Sequence, residues 1–445
     1  MSNSEQSRDS FYGLGIATRM LEELERAKFT VPTPIQKQSI PIAIEGKDII
    51  GVAQTGTGKT LAFGVPLLQR LALVKGRGLI ILPTRELAIQ VDEMLHKIGK
   101  FFGLRTTVII GGASMVMQKK SLARNPHIII STPGRLIDHL DQKTLKLDNV
   151  KILILDEADR MFDMGFAPQI SRILQSTPKD RQTMLFSATM PDQIVRLASS
   201  HMKLPVRVEI ARPGTVASRV THEMFVVKSG DKIRLLEKLL KQYRGTVLVF
   251  SRTKYGAKRI NRDIRNMGAS AVEIHSDRTL SQRREAITGF KMGKYRVLVA
   301  TDIAARGIDV TGIELVVNFD LPENPEDYVH RVGRTGRAGE TGHAISFAMP
   351  EQRRGVREIE QLIRTMIPIS KLPELPASRQ QQNESIESTE RPPFKKYQSS
   401  GFGGNRRSSS FSDKHRHGSF GSKRRSGSFG GKRSGSGHSS GRSWR

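Results

Sequence analysis

From residue 11 to residue 208, short apolar runs alternate with longer amphipathic stretches. The runs are 48–53 (DIIGVA), 78–82 (GLIIL), 106–110 (TTVII), 127–131 (HIIIS), 151–155 (KILIL) and 183–187 (TMLFS). Runs this short and this continuously apolar predict strands buried on both faces. Segments such as 85–102 (RELAIQVDEMLHKIGKFF) lie between them with helical spacing. Apolar strands alternating with helices predict a parallel sheet covered on both sides. The pattern breaks at 211–218 (ARPGTVAS), where Pro, Gly and small residues predict a linker. It restarts with runs at 223–228, 246–250, 270–274, 296–300, 313–319 and 342–348, separated by helical patterns such as 231–243. Two α/β domains of similar grammar, 1–210 and 219–370, are therefore predicted, as after a duplication. From 371 to 445 Gln, Ser, Pro, Gly and Arg replace the aliphatics. That composition cannot offset the entropy of ordering, so a disordered basic tail is expected there.

The length of 445 residues agrees with two or three domains. Cysteine is absent, which excludes disulfides and thiolate zinc sites. The N-terminus MSNSEQSRDS has no apolar signal segment, and no run of about 18 apolar residues is present, so a cytoplasmic protein with no membrane partner is expected. Net charge is +29, which points to a polyanionic partner, nucleic acid above all. The charge is uneven: residues 391–445 hold 14 Lys/Arg and one acid, Asp413. In the same stretch Phe402, Phe411, Phe420 and Phe429 recur every nine residues, each followed closely by Lys or Arg. Interleaved cations and aromatics suit phosphates and base faces together, so the tail is expected to hold RNA.

Two stretches carry chemistry. AQTGTGKT (53–60) follows the 48–53 strand and opens a helical pattern, the context of a phosphate-binding loop. Gly56 and Gly58 let backbone N–H groups approach phosphate, Lys59 reaches the β/γ-phosphates, and Thr60 ligates Mg2+. The strict motif opens with Gly, where this chain has Ala53. ILILDEAD (152–159) runs a strand into three crowded carboxylates, Asp156, Glu157 and Asp159. Such groups resist ionising together. A phosphate-binding loop supplies the reason: Asp156 holds the metal and Glu157 orients or deprotonates the attacking water.

With these motifs in order, the chain resembles the DEAD-box RNA helicases, most closely the bacterial RhlE type, over residues 11 to about 350. Phe11 and FTVPTPIQ (29–36) look like the adenine-reading Q motif, with Phe29 stacking and Gln36 pairing with the adenine edge. Then follow AQTGTGKT, PTRELA (83–88), Gly111-Gly112, TPGR (132–135), SAT (187–189), VFSRT (249–253), ATDIAARGID (300–309) and HRVGRTGR (330–337). The resemblance implies two RecA-like domains and an ATPase whose nucleotide contacts extend over Ala53, Gln54, Thr55, Gly56, Thr57, Gly58, Lys59, Thr60 and Asp309. It implies RNA contacts from Pro83, Thr84, Arg85, Gly111, Gly112, Thr132, Pro133, Gly134, Arg135, Arg252 and Thr301. It places Arg334 and Arg337 on the γ-phosphate, with His330 reaching the first domain. Ser187, Thr189, Asp159 and Asp302 then couple ATP to RNA. ATP and Mg2+ are the implied cofactors. Single-stranded and duplex RNA is the implied partner, including ribosomal RNA or mRNA-decay complexes, and the chain is expected to act as a monomer. One run departs from the family. In HSDRTLSQRR (275–284), His275 and Arg283 fit, but Ser276 stands for Gly and Leu280 for Gln. Leu280 is expected either in the second domain's core or on the RNA path. Two other classes also fit the composition: an RNA chaperone or condensate scaffold with an ATP-gated clamp, and a DNA-directed translocase.

Overall fold

The computed structural model describes residues 10–54, 56–210, 220–305, 310, 312–336 and 341–376. The first domain's strands are β1 (Ile49–Val52), β2 (Arg77–Ile81), β3 (Thr106–Ile109), β4 (Ile128–Ser131), β5 (Val150–Leu155), β6 (Gln182–Ser187) and β7 (Val206–Glu209). The second domain's are β8 (Val220–Val226), β9 (Val247–Phe250), β10 (Ala271–Ile274), β11 (Val297–Ala300), β12 (Leu315–Asn318), β13 (Gly342–Ala348) and β14 (Ile369–Ser370). The sheets run β3-β4-β2-β5-β6-β1-β7 and β10-β11-β9-β12-β13-β8-β14. Renumbered from its own first strand, the second order is the same permutation as the first. Neighbouring strands pair in parallel throughout, as in β1 with β6 and β9 with β12. The expected tandem of RecA-like α/β domains is the observed fold.

The central strands divide their apolar residues between two layers. In β5, Ile152 and Ile154 enter one core cluster while Leu153 and Leu155 enter the other. In β9, Val247 and Val249 face one cluster and Leu248 and Phe250 the opposite one. Continuous apolar runs are thus two buried faces of period two, each covered by helices. No apolar run marks the edge strand β7, because Val206 and Val208 alternate with Arg207 and Glu209. Residues 371–376, assigned by composition to the tail, are packed on the second domain. Leu375 joins its core, and Arg234 Nε donates to the Pro376 carbonyl at 2.6 Å. The linker 211–218 and the tail from 377 onward lie outside the described residues.

Candidate active site and nucleic-acid interface

Because the strands are parallel, their carboxyl ends share one edge, the edge where open α/β sheets bind ligands. β1 leads into 53–60, β2 into 83–88, β3 into Gly111-Gly112, β4 into 132–135, β5 into 156–159 and β6 into 187–189. One topological fact gathers every first-domain motif except 29–36, which precedes β1.

The loop after β1 turns through Gly56 (φ 85°) and Gly58 (φ 89°), a left-handed conformation that side chains disfavour. A Cβ on Gly58 would also press on the Gln36 amide and on Thr33 Oγ1. Lys59 opens the helix Lys59–Leu71 and is buried, its Nζ donating to the Ala53 carbonyl at 3.0 Å. Thr57 Oγ1 donates to the Gln54 carbonyl at 2.7 Å. Gln36 accepts from Thr33 N–H at 2.9 Å and donates to the Gly58 carbonyl at 2.9 Å. A primary amide then still has one lone pair and one N–H, which match adenine's N6/N7 edge. The Phe29 ring lies against the first core, with the Lys97 ammonium 5.2 Å from its centroid. Phe29, Gln36, Gly56, Gly58 and Lys59 line a cavity of about 520 Å³ together with Thr60, Asp156 and Glu157. Thr55 lies outside the described residues.

Asp156 is buried at the end of β5, and burial pushes its carboxyl up to about 6. Glu157 and Asp159 add to the rise, while Lys59 and the Glu157 N–H oppose it. That N–H donates to Asp156 Oδ1 at 2.9 Å, and Oδ2 has no protein partner among the described residues. Glu157 itself sits at φ 52° and accepts from Arg160 Nη1 at 3.1 Å in a fully buried pair. Asp159 turns the other way: its Oδ2 accepts from Ala188 N–H (3.0 Å), Thr189 N–H (2.8 Å) and Thr189 Oγ1 (3.1 Å). Its own N–H donates to Ser187 Oγ at 3.1 Å. The crowded acids are thus separated by partner, one toward the cavity, one onto Arg160, one onto 187–189. Arg160 was not among the residues singled out from sequence. Its signal was a cation directly after the tetrad, three residues beyond Glu157 and so within helical reach.

On the same edge, Arg85 lies over Gly111-Gly112. A Cβ on Gly112, which sits at φ 77°, would run into Arg85 Nη1, and one on Gly111 would lie 3.2 Å from Nη2, so the two glycines leave room for the guanidinium. Burial lowers the Arg85 pKa, with Arg283 and Arg135 adding and Glu86 opposing. Thr84 caps the helix Arg85–Gly99 through Leu87 N–H at 3.3 Å, just after Pro83. Thr132 stands before the helix Pro133–Asp141 without capping it, which leaves its hydroxyl for another acceptor. Gly134 has open space at its Cβ position, and Arg135 Nη1 donates to the Ala113 carbonyl at 3.0 Å.

The second domain contributes from its own carboxyl edge. Arg334 is buried and lines the cavity that holds Lys59, Asp156 and Glu157. A narrow neighbouring cavity brings His330, Asp302 and Arg334 against Arg160 of the first domain. Arg331 is an internal anchor, clamping Asp302 with bonds of 2.5 and 2.7 Å and lying over Phe250. Arg252 is exposed after β9, and Thr301 follows β11. Asp309 and Arg337 lie outside the described residues.

The comparisons agree with this geometry. Residues 33–197 match the DEAD/DEAH box helicase model, and residues 231–339 match the helicase conserved C-terminal domain. The chain is 42% identical over 363 residues to the ATP-dependent rRNA helicase RRP3 of Debaryomyces hansenii, covering 81% of this chain and 76% of that one. It is 43% identical over 355 residues to the DEAD-box ATP-dependent RNA helicase CshA of Bacillus cereus, covering 79% and 68%. The chain belongs to the DEAD-box RNA helicase family. It is an RNA-dependent ATPase that remodels RNA. Its fold superposes on S. cerevisiae Dbp5 bound to RNA and ADP BeF3 with a TM-score of 0.73 at 29% identity, over 86% of this chain and 99% of that one.

In this DEAD-box chain the departure at 280 resolves in an unexpected way. Leu280 is not in the second domain's core; half-buried, it packs against the first domain's core cluster. It opens the helix Leu280–Lys291, where Gln282 is occupied in a capping box with Thr279. One turn on, Arg283 Nε donates to Glu86 Oε1 at 2.7 Å across the domains, with both side chains nearly buried. No pattern in 275–284 reveals this, because the apolar partner belongs to a different domain.

Proposed function

We propose that ATP is hydrolysed in the cavity lined by Lys59, Asp156, Glu157 and Arg334, and that closure of the two domains bends one RNA strand away from its partner. The presence of Arg334, a second-domain cation, in the wall of a first-domain phosphate site carries this reading. Lys59 exchanges the Ala53 carbonyl for the β/γ-phosphates, and the N–H groups opening its helix receive phosphate oxygens. Phe29 and Gln36 hold adenine, with Asp309 on the ribose. Thr60 and Asp156 would hold Mg2+, which fits because the buried Asp156 keeps Oδ2 without a protein partner and Mg2+ needs only one or two protein oxygens. When bound, the ion neutralises phosphate charge. Glu157, fixed by Arg160, takes the proton of the attacking water as the oxygen bonds to the γ-phosphorus and the bridge to ADP breaks. Arg334 and Arg337 stabilise charge on the transferring group.

RNA lies along Pro83, Thr84, Arg85, Gly111, Gly112, Thr132–Arg135, Arg252 and Thr301, and the 2′-OH distinguishes it from DNA. The 187–189 loop on Asp159, and His330 with Asp302 beside Arg160, relay between the sites. Within the family we place the chain in the bacterial RhlE-like subgroup on its motif series, as a cytoplasmic monomer. No helix among the described residues is long and apolar enough to cross a membrane. The rRNA named for RRP3 supports ribosomal RNA as a substrate, with mRNA-decay complexes as a second setting. The 391–445 segment adds phosphate contacts without sequence preference; its deletion should weaken RNA binding and flatten the salt dependence. The test of the active site is Glu157→Gln, assayed separately for nucleotide binding and turnover. It should bind ATP and RNA, turn over poorly and stay clamped; normal turnover would remove Glu157 from the reaction.

A further inference from the structure

The helix Lys254–Asn266 starts directly after the VFSRT motif, at the proposed RNA edge of the second domain, and runs away from it. Its outer face carries Tyr255, Lys258, Arg259, Arg262 and Arg265 at spacings of three and four, one continuous stripe. With the end of β10 it walls an open groove of about 900 Å³. The two acids of this groove are already paired. Glu273 is bound by Arg278, and Asp277 by Lys254 and Lys258 at 2.9 and 3.3 Å. Arg259 and Arg265 are exposed and have no acidic partner among the described residues.

Two buried polar atoms at the groove lack partners: Asn261 Oδ1, an acceptor, and Arg278 Nε, a donor. Tyr255, at the end nearest Arg252, is 70% exposed, with the Lys254 ammonium 5.2 Å from its ring centroid. We infer that this groove is a second RNA-binding track, which holds the segment of the same RNA that flanks the proposed cleft. The arginines meet phosphates, Arg278 Nε donates to a phosphate oxygen, and Asn261 Oδ1 accepts from a ribose 2′-OH. Tyr255 takes a base as the strand leaves the cleft. A row of arginines headed by an exposed aromatic suits phosphates and a base face together, which favours RNA over an acidic protein segment.

This inference rests on the RNA reading of the cleft, and the experiment separates the two. The full chain and its Arg259→Ala/Arg262→Ala/Arg265→Ala variant are compared on an RNA of about 10 nucleotides, enough for one single-strand site, and on one of about 25. A second variant, Arg259→Gln/Arg265→Gln, guards against a folding defect, with thermal melts on both. The wild type should bind the longer RNA at least tenfold more tightly than the shorter. Both variants should lose most of that gain, keep their affinity for the short RNA and keep turnover at saturating RNA. For the triple variant the log–log salt slope on the long RNA should fall by about 2. Replacing ribose by deoxyribose in the flanks alone should weaken wild-type binding. A length gain that survives in both variants, an equal loss on both lengths, or indifference to flank ribose overturns the track. Failure of either RNA to stimulate wild-type turnover overturns the cleft reading, and the track with it.

Discussion

Corresponding edges of the two domains each carry a lysine and an aspartate, and use them in opposite ways. Lys59 opens the helix after β1, and Lys232 opens the helix Lys232–Gln242 that follows β8. Asp156 follows β5, and Asp320 follows β12, which holds the same place in its sheet. In the second domain the pair is closed: Lys232 Nζ donates to Asp320 Oδ1 at 3.0 Å and to the Phe319 carbonyl at 2.7 Å. Burial pushes the Asp320 carboxyl up, but the charge and hydrogen bond of Lys232, with Arg252 N–H and Ser251, outweigh it and hold the pKa below the usual range. In the first domain the pair is open: Lys59 bonds to a backbone carbonyl, and Asp156 is left raised to about 6. The left-handed glycines 56 and 58 widen the first loop, whereas a short turn, Ser229–Asp231, leads directly into the second helix. A filled site stabilises its domain; an open one stores an electrostatic demand that a ligand meets.

The largest effect expected from this contrast is functional. Lys59→Ala should reduce ATP affinity by about a thousandfold, on the scale of several charge-assisted hydrogen bonds, with little change in melting. Lys232→Ala should do the reverse. Breaking a largely buried pair strands a charge, so the second domain should lose about 3 kcal/mol while ATP affinity stays near wild type. Calorimetry and nucleotide titration on both variants would break the comparison if Lys232→Ala melted normally.

A second effect is pH-dependent. Asp156 has a raised folded value, so its contribution to stability is complete below the ordinary 3.8 and is lost as pH rises through about 6. In nucleotide-free protein, Asp156→Asn should therefore match wild type near pH 4 and exceed it above pH 6 by at most about 3 kcal/mol. Melting curves across pH check this; a variant less stable than wild type at pH 8 contradicts the raised value. Asp320→Asn should show the opposite trend, losing stability relative to wild type above the ordinary carboxylate range.

The smallest effect concerns contact between the domains. Leu280→Ala should weaken the mutual enhancement of ATP and RNA binding about fivefold, the equivalent of ~1 kcal/mol for a half-buried leucine. Second-domain melting should not move. RNA titrations with and without a non-hydrolysable ATP analogue read the coupling, and a melting loss without a coupling loss would put Leu280 in a core.

Much of this was legible in the chain. Continuous apolar runs such as KILIL marked central strands because both faces are buried. Motifs placed after those runs fell on one edge because the strands are parallel. Edge strand β7 was not legible, since alternation with Arg207 and Glu209 hides a strand with one wet side. Arg160 was overlooked because its value lies in what it holds, Glu157, and in the second-domain groups it faces. The Lys232–Asp320 pair is 88 residues apart and carries no motif; only the shared strand order reveals it. The Glu86–Arg283 bridge and Leu280 were invisible for a related reason, because periodicity describes one element's face and not a surface from another domain.

The central claim is that the first domain binds the nucleotide and the second completes its turnover through Arg334. The direct measurement is ATP affinity beside RNA-saturated turnover for Arg334→Ala. Turnover should fall about a thousandfold, the scale of an arginine supplied to a transferring phosphoryl group, while affinity changes less than about tenfold. Equal losses in both would make Arg334 a ground-state binding group and contradict the account.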